Sequence, residues 1–263
     1  MYRCPICNQP LTVLEKSALC VSKHNFDRAK SGYFNFLLKN QTIFRGDHPT
    51  QIDARRNFLS KDFYLPLANQ VNEIIASHHP SSLIDAGCGE GYYTHAIKKE
   101  NPTCQVYGFD ISKEAVEKAA KQDRDIHYCV SSVNRLPYRN NSSDMITSLF
   151  APIDEEEFHR VLSESGILLV ISAHPEHLLE LKAVAYDTLV RHEHKSLSHS
   201  KLKLVDQKEF SFTLDLVQPD ITHLFNMTPY GFRTAPKGKV RIEEKENLTV
   251  TAKFIIETYQ KQI

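Results

Sequence analysis

The fold is decided by Leu83-Ile84-Asp85-Ala86-Gly87-Cys88-Gly89-Glu90-Gly91-Tyr92-Tyr93. An apolar run stops at an acid, and three of the chain's nine glycines then fall at alternate positions. Glycine lets a backbone turn sharply and approach a ligand that a Cβ atom would meet. The residues before the turn predict a buried parallel strand, and those from Tyr92 to Lys99 predict a helix. A strand, a glycine turn and a helix N-terminus are typical of the nucleotide-binding corner of a doubly wound sheet.

The spacing of this turn indicates which nucleotide it binds. Dinucleotide enzymes use G-x-G-x-x-G with a helix N-terminus aimed at a pyrophosphate, whereas this chain has D-x-G-x-G-x-G. Asp85 and Glu90 would repel a pyrophosphate, but they suit a ligand that carries an ammonium and a sulfonium group. A second predicted strand, Gln105 to Phe109, ends at Asp110, which is placed to bind ribose hydroxyls. The alternative is an ordinary glycine turn in some other α/β protein.

The pattern resembles that of class I S-adenosylmethionine-dependent methyltransferases. This resemblance implies an α/β fold with a doubly wound, mostly parallel, seven-stranded sheet. It also implies that S-adenosylmethionine contacts the turn itself, at Asp85, Gly87, Gly89, Glu90 and Gly91.

Length and composition are those of an ordinary globular protein. The 263 residues can hold one α/β domain and a small appendage, with 41% hydrophobic and 24% charged residues. No apolar run approaches the roughly twenty residues that span a bilayer. The first residues lack the apolar region of a signal peptide. We therefore expect a cytoplasmic protein with no membrane association, whose six cysteines are thiols or metal ligands.

The formal net charge of zero conceals an uneven distribution. Residues 1–61 contain ten Lys or Arg and four acids, a balance of +6. The rest of the chain is therefore −6, because the whole chain has 32 residues of each sign. A basic segment on an acidic body favours a polyanionic partner held at one end. A chance asymmetry of solvated surfaces is the alternative.

The N-terminal segment has the ligand spacing of a zinc site. Cys4, Cys7, Cys20 and His24 form the pattern C-x₂-C-x₁₂-C-x₃-H. Four such ligands fill the tetrahedral shell of zinc and leave no open position, so we expect one structural ion per chain. A redox C-x-x-C pair would normally lie near a βαβ pattern, which is absent from this segment. Metal binding would supply the folding energy of so short a segment.

Aromatic and basic residues alternate directly after the second pair of ligands. Phe26, Tyr33, Phe34 and Phe36 lie among Arg28 and Lys30, as in surfaces that stack unpaired bases and hold phosphates. The phenylalanines could instead form the small core of the zinc module. Both interpretations stay open at this point.

The chain divides into three predicted parts. Residues 1–38 form a zinc-binding RNA-recognition domain, 39–65 a linker and connecting helix, and 66–263 the methyltransferase domain. In the connecting helix, Ala54 and Phe58 lie on one face and Arg55 and Arg56 on the other. Pro66 would end or restart this helix.

Taken together, the motifs resemble one family, the RlmA-type large-subunit (23S) rRNA (guanine-N(1)-)-methyltransferases. The resemblance runs nearly end to end. Its motifs are the zinc ligands, His24-Asn25-Phe26-Asp27, Ala54-Arg55-Arg56, Cys88 to His95 and Met227-Thr228-Pro229. It implies methyl transfer to ring nitrogen 1 of a guanine in a hairpin loop of 23S rRNA, and a homodimer. It also implies that Tyr64 and His177 join Glu90, Gly91 and Asp110 around S-adenosylmethionine.

The catalytic residues are not evident from the sequence. Phe150-Ala151-Pro152 follows a predicted strand where class I enzymes meet the target base, but it could equally be a structural turn with a buried ring. Asp154 and His174 are both placed as proton acceptors, and nothing in the sequence ranks them.

Two other functions compete with rRNA methylation. The first is a small-molecule methyltransferase whose zinc module is a protein-docking or stability element. The second is a non-catalytic zinc-dependent RNA-binding protein, against which the intact glycine turn and Asp110 argue.

Overall fold

Apolar strands that are buried on both faces form the centre of the structure. The computed structural model describes residues 1–38, 48–189, 193–197 and 201–262. Its strands are β1 Thr12–Val13, β2 Ser17–Leu19, β3 Asn25–Asp27, β4 Phe34–Asn35, β5 Ser82–Ala86, β6 Gln105–Asp110, β7 His127–Val130, β8 Ser143–Leu149, β9 Leu162–Ala173, β10 Leu202–Val217 and β11 Asn247–Lys261. Its helices are α1 Pro49–Leu59, α2 Leu65–His78, α3 Tyr92–Glu100, α4 Lys113–Gln122, α5 Glu155–Val161, α6 Leu179–Ala185, α7 Asp220–Met227, α8 Tyr230–Arg233 and α9 Pro236–Glu243.

The main sheet has the order β10-β11-β9-β8-β5-β6-β7-β4. All neighbours from β9 to β4 run parallel, whereas β11 pairs antiparallel with both β9 and β10. The seven strands from β5 onward confirm the predicted doubly wound, mostly parallel sheet. An eighth strand, β4, was not predicted and comes from the N-terminal segment.

The strand order reverses at β5. The chain runs outward from β5 through β6 to β7 and then returns to β8 on the other side of β5. In such sheets, ligands bind outside the carboxyl ends of the strands at the point of reversal. The glycine turn follows β5 directly, so it lies at this point.

The structure shows where the helices around Pro66 and His177 begin. Pro66 lies in the first turn of α2, where its missing N–H costs nothing, so it restarts the helix after α1. The helix after β9 begins at Leu179, and His177 lies in the turn before it. Helices α7 to α9, between the last two strands, were not predicted. The linker residues 39–47 lie outside the described residues. No described helix has the length and apolar character needed to cross a membrane.

Buried aromatic rings join the N-terminal segment to the methyltransferase sheet. Strand β4 pairs parallel with β7, and Phe34 and Phe36 are each 2% exposed. The ring of Tyr2 stacks on that of Tyr138 with centroids 5.5 Å apart, and it lies 5.2 Å from the ring of Phe36. Phe34 and Phe36 therefore belong to the core. Burial of these rings, at about 1.5–3 kcal/mol for each large apolar side chain, holds the two parts together.

A second connection between the two parts is polar and centres on Glu157 of α5. Its carboxylate accepts the Leu136 N–H at 2.7 Å, two N–H groups of Arg160 at 2.6 and 2.9 Å, and one of Arg3 at 3.4 Å. Burial acts to raise the pKa of Glu157, but the pairing with Arg160 outweighs it, and the net pKa lies below the usual value.

We expect Glu157→Gln to lower the free energy of unfolding by about 1–3 kcal/mol at pH 7, because charged hydrogen bonds are lost. The folded pKa of Glu157 is depressed, so its stabilisation is present above the unfolded pKa of about 4.3. It is lost as pH falls through the folded pKa. Urea unfolding of both proteins across pH should therefore show a difference that disappears in acid. Glu156→Gln, an exposed change on the same helix, is the control; an equal loss there would contradict the assigned role.

Candidate active site and metal centre

Two positions in the glycine turn require glycine. Gly87 has φ +72°, and a Cβ atom there would lie 2.3 Å from the Cβ of Ala151. Gly91 has φ +91°, and its Cβ would lie 2.8 Å from the hydroxyl of Tyr128. The Gly87 contact places the cofactor turn directly against the turn that follows β8, at the point of strand reversal.

The open side of the turn lies at Gly89. The nearest atom to a Cβ placed there is Nη1 of Arg55, at 4.0 Å. The Gly89 N–H donates to the Asp110 carboxylate at 3.0 Å, and the Ser112 N–H donates to its other oxygen at 2.8 Å. Asp110 is partly exposed at the end of β6, so the structure brings it to the turn as the sequence predicted.

Asp85 is buried beneath the turn and is 2% exposed. One carboxylate oxygen accepts the Thr94 hydroxyl at 2.6 Å, and the other accepts the Thr147 hydroxyl at 2.9 Å. Burial raises the pKa of Asp85 to about 6, against the two hydroxyl hydrogen bonds that lower it. Asp85 therefore fixes the first turn of α3 to the end of β8, and it presents negative charge to the turn from below.

Glu90 has an unsatisfied carboxylate oxygen. Its side chain is buried, and Oε2 has no hydrogen-bond partner within the described part of the chain. Burial raises the pKa of Glu90 to about 7, although Arg56, Lys118 and Arg55 act in the opposite direction. Because buried polar atoms normally have a partner, this oxygen favours a ligand with a cationic or hydrogen-bond-donating group.

Tyr64 and His177 meet across the ring of Phe254. Tyr64 is buried at the N-terminus of α2, with its ring 5.6 Å from Phe254 and its hydroxyl without a partner among the described residues. The His177 ring lies 4.8 Å from Phe254, and its Nδ1 lies 2.9 Å from the Lys253 carbonyl oxygen. Burial lowers the pKa of His177 to about 4, so the imidazole is neutral at pH 7.

Phe150 presents an exposed ring to the same region. Its backbone has φ +58°, and the side chain is 47% exposed with its ring 5.6 Å from that of Phe254. A bulky residue in this backbone region is strained, and such strain clusters at ligand sites. The alternative of a structural turn with a buried ring is therefore not favoured.

In the structure, both candidate proton acceptors, Asp154 and His174, already have hydrogen-bond partners within the protein. Asp154 caps α5, where its Oδ1 accepts the Glu157 N–H at 3.0 Å. His174 accepts the Glu176 N–H on Nδ1 at 3.0 Å, and its Nε2 lies 3.3 Å from the Glu209 carboxylate. When Nδ1 accepts, Nε2 of a neutral imidazole carries the hydrogen, so His174 has no free lone pair to receive another proton.

Several residues of the site were missed in the sequence. Thr147 lies directly opposite Asp85 in the register of β5 and β8, and Thr94 lies in the first turn of α3. The strand register could have identified Thr147, because residues directly opposite each other on neighbouring parallel strands point to the same face of the sheet. Phe254 carries no local signal for a site, since it comes from a distant strand. Arg55 lies in the Ala54-Arg55-Arg56 motif, but its position on the helix before the domain does not indicate that it reaches the turn.

The four predicted zinc ligands converge. Their ligand atoms all lie within 4.8 Å of one another. Sγ of Cys7 lies 3.6 Å from Sγ of Cys20, and Nδ1 of His24 lies 3.5 and 3.4 Å from Sγ of Cys4 and Cys20. A zinc tetrahedron with Zn–S bonds of about 2.3 Å has edges near these lengths. The four residues therefore fit a structural zinc site in which all four coordination positions are filled by the protein.

We expect the purified protein to contain one zinc per chain and the Cys20→Ser variant to lose most of it, because a hydroxyl is a poor fourth ligand. Metal analysis after dialysis measures this directly. Cys104→Ser, which changes a buried thiol outside the cluster, is the control. Full occupancy in Cys20→Ser would contradict the ligand set.

The two glycines give a matched pair of substitutions. Gly87→Ala should strongly lower both thermal stability and S-adenosylmethionine affinity, because its Cβ meets Ala151 at 2.3 Å. Gly89→Ala has a similar positive φ but open space, so its stability loss should be about 1 kcal/mol. Thermal unfolding with and without the cofactor compares the two. Equal losses would mean that φ alone, not the approach of the two turns, decides the effect.

Comparisons with known proteins agree with this geometry. A family model described as "Methyltransferase domain" matches residues 77–214, and one described as "RlmA, N-terminal", a zinc ribbon, matches residues 2–41. The chain is 28% identical to YxjB of Bacillus subtilis, provisionally named a 23S rRNA (guanine-N(1)-)-methyltransferase, over 95% of this chain and 94% of that one. A Micromonospora griseorubida protein with the same provisional description is 29% identical, over 98% and 96% of the two chains.

A third relative is the 23S rRNA (guanine(748)-N(1))-methyltransferase of Streptomyces fradiae, which is 32% identical over 68% of this chain and 65% of that one. The methyltransferase match covers more than half of this chain, and the zinc-ribbon match covers the four converging ligands. The chain therefore belongs to the methyltransferase-domain family, as an RlmA-type member with an N-terminal zinc ribbon.

Proposed function

We propose that this protein transfers a methyl group from S-adenosylmethionine to ring nitrogen 1 of a guanine in a hairpin loop of 23S rRNA. The observation that carries the chemistry is the contact of two turns, in which Gly87 of the cofactor turn packs on Ala151 beside the exposed ring of Phe150. Cofactor and target therefore meet at one edge of the sheet. The choice of 23S rRNA and of guanine ring nitrogen 1 rests on the three relatives, which are named 23S rRNA (guanine-N(1))-methyltransferases, two of them provisionally. The hairpin loop rests on the family resemblance alone.

The cofactor would lie along the glycine turn. In this proposal, Gly87, Gly89 and Gly91 leave room for it, and Asp110 binds the ribose hydroxyls. Glu90, with its unsatisfied oxygen, faces the amino group and sulfonium, and Asp85 supports that charge from below. Tyr64 and His177 close the pocket on the side of Phe254.

The target base would lie against Phe150. Stacking of a base on an aromatic ring contributes about 1–3 kcal/mol, and a loop nucleotide is displaced from its neighbours at little cost. Ring nitrogen 1 of guanine carries a proton at neutral pH, so a base or a bound water would accept this proton as the methyl group is transferred. The bond between sulfur and the methyl carbon would break as the bond to nitrogen forms, and the cofactor would leave as the neutral thioether S-adenosylhomocysteine. Positioning of the two reactants supplies much of the rate enhancement.

The zinc ribbon and its exposed cations would hold the RNA. Lys16, Lys23 and Lys30 are exposed on the ribbon, where they can contact phosphates. Arg28 is partly buried, stacks over Phe34 at 4.5 Å and donates to backbone carbonyls, so it stabilises the ribbon instead. The predicted parts 1–38, 39–65 and 66–263 and the homodimer belong to this proposal, as does a location in the cytoplasm with the ribosome.

Primer extension on 23S rRNA tests the proposal, because a methyl group on ring nitrogen 1 blocks base pairing and stops the polymerase. We expect a stop at one guanine after incubation with protein and S-adenosylmethionine. Asp110→Ala should weaken cofactor binding by about 1–3 kcal/mol and reduce the stop, because hydrogen bonds to the ribose are lost. Asp125→Ala, an exposed acid on the loop before β7, is the control. A protein that binds the cofactor yet gives no stop on rRNA would favour the small-molecule alternative.

A further inference from the structure

The cofactor has one charged group that the acids of the turn cannot bind. S-adenosylmethionine carries a carboxylate beside its amino group, as any α-amino acid does. Asp85, Glu90 and Asp110 suit the cationic and hydroxyl groups of the cofactor, but they repel this carboxylate. A site that holds three acids therefore needs a cation close to the turn, and the partner of the carboxylate is a residue that the family motifs of the turn do not include.

Arg55 is placed to be this cation. It lies on α1, and its Nη1 is the nearest atom, at 4.0 Å, to a Cβ built on the open side of Gly89. It is close enough to Glu90 to lower the pKa of that carboxyl. Its other terminal nitrogen, Nη2, lies 3.4 Å from the Met227 carbonyl oxygen, which orients the guanidinium from α7. The side chain is partly buried, so water would screen its attraction to a carboxylate less than at an exposed arginine.

Two neighbouring cations are less suited to this role. Lys118 on α4 is held by Asp53 at 3.0 Å and by Glu114 at 3.1 Å. Arg56 is exposed on α1, so a carboxylate bound to it would remain in water. Arginine is also the residue best matched to a carboxylate, since its planar fork donates two parallel hydrogen bonds.

We propose that Arg55 binds the carboxylate of S-adenosylmethionine and so fixes α1 over the bound cofactor. This inference rests on the proposed function only in that S-adenosylmethionine is the ligand. The turn after α1 is also held to α7, because Nζ of Lys61 lies 2.7 and 2.8 Å from the two carboxylate oxygens of Asp220. A carboxylate bound to Arg55 therefore connects the cofactor to the helical layer above the turn.

The test compares S-adenosylmethionine with its decarboxylated analogue, which keeps the sulfonium, amine and adenosine. We expect calorimetry on the full-length parent to show about 10- to 100-fold weaker binding of the analogue. Arg55→Gln should weaken S-adenosylmethionine by a similar factor and leave the analogue within about threefold, so that the discrimination disappears. Arg55→Lys should restore part of it, since it keeps the charge without the fork.

Arg56→Gln is the matched control on the same helix, and it should retain the parental ratio between the two ligands even if both bind more weakly. If Arg55→Gln weakens both ligands equally, Arg55 acts only by holding α1 to α7, and the proposal is wrong. A parental ratio in Arg55→Gln overturns it as well. Either of these two results would leave the proposed rRNA methylation standing. A parent protein that binds neither ligand would instead refute the proposed function itself.

Discussion

The close contact between Gly87 and Ala151 is the constraint on which the rest of the active site depends. It joins a turn after β5 to a turn after β8, two strands that are neighbours only because the chain reverses direction in the sheet. The two turns could not approach so closely with a side chain at Gly87. In the proposed function the first turn holds the cofactor and the second turn holds the target base, so the distance between the turns would set the distance between donor and acceptor of the methyl group.

The carboxylates of Asp85 and Glu90 lie at different levels of the site and differ in their hydrogen bonds. Asp85 lies at the bottom with both oxygens satisfied, and Glu90 lies higher with one oxygen unsatisfied. Burial raises the pKa of both, to about 6 and about 7. A cationic cofactor reverses this penalty, since it stabilises the ionised forms. In the proposed function, the site is therefore most favourable electrostatically when the cofactor is bound.

Much of this structure could be predicted from the sequence, because its signals are local. The glycine turn, the strand ending at Asp110 and the spacing of the four zinc ligands are each contained in a short stretch, and strand β6 ends at Asp110 as predicted. The missed features depend on pairing between distant segments. Phe254 reaches the site through antiparallel pairing of β11 with β9, and β4 joins the sheet through β7. His174 was predicted as a proton acceptor from its position in the sequence. Its hydrogen-bond partners in the structure could not be identified from the sequence.

The parallel pairing of β4 with β7 also covers part of a sheet edge that could otherwise pair with another copy of the chain. Without β4, the backbone N–H and C=O groups along one side of β7 would be free to pair with another chain, which is how open sheets aggregate. The zinc ribbon supplies the cover, and the ribbon depends on its metal to stay folded. Zinc binding would therefore also act on the main sheet, because a folded ribbon keeps β4 paired with the edge of β7. A chain without zinc would expose this part of β7 to pairing with other chains.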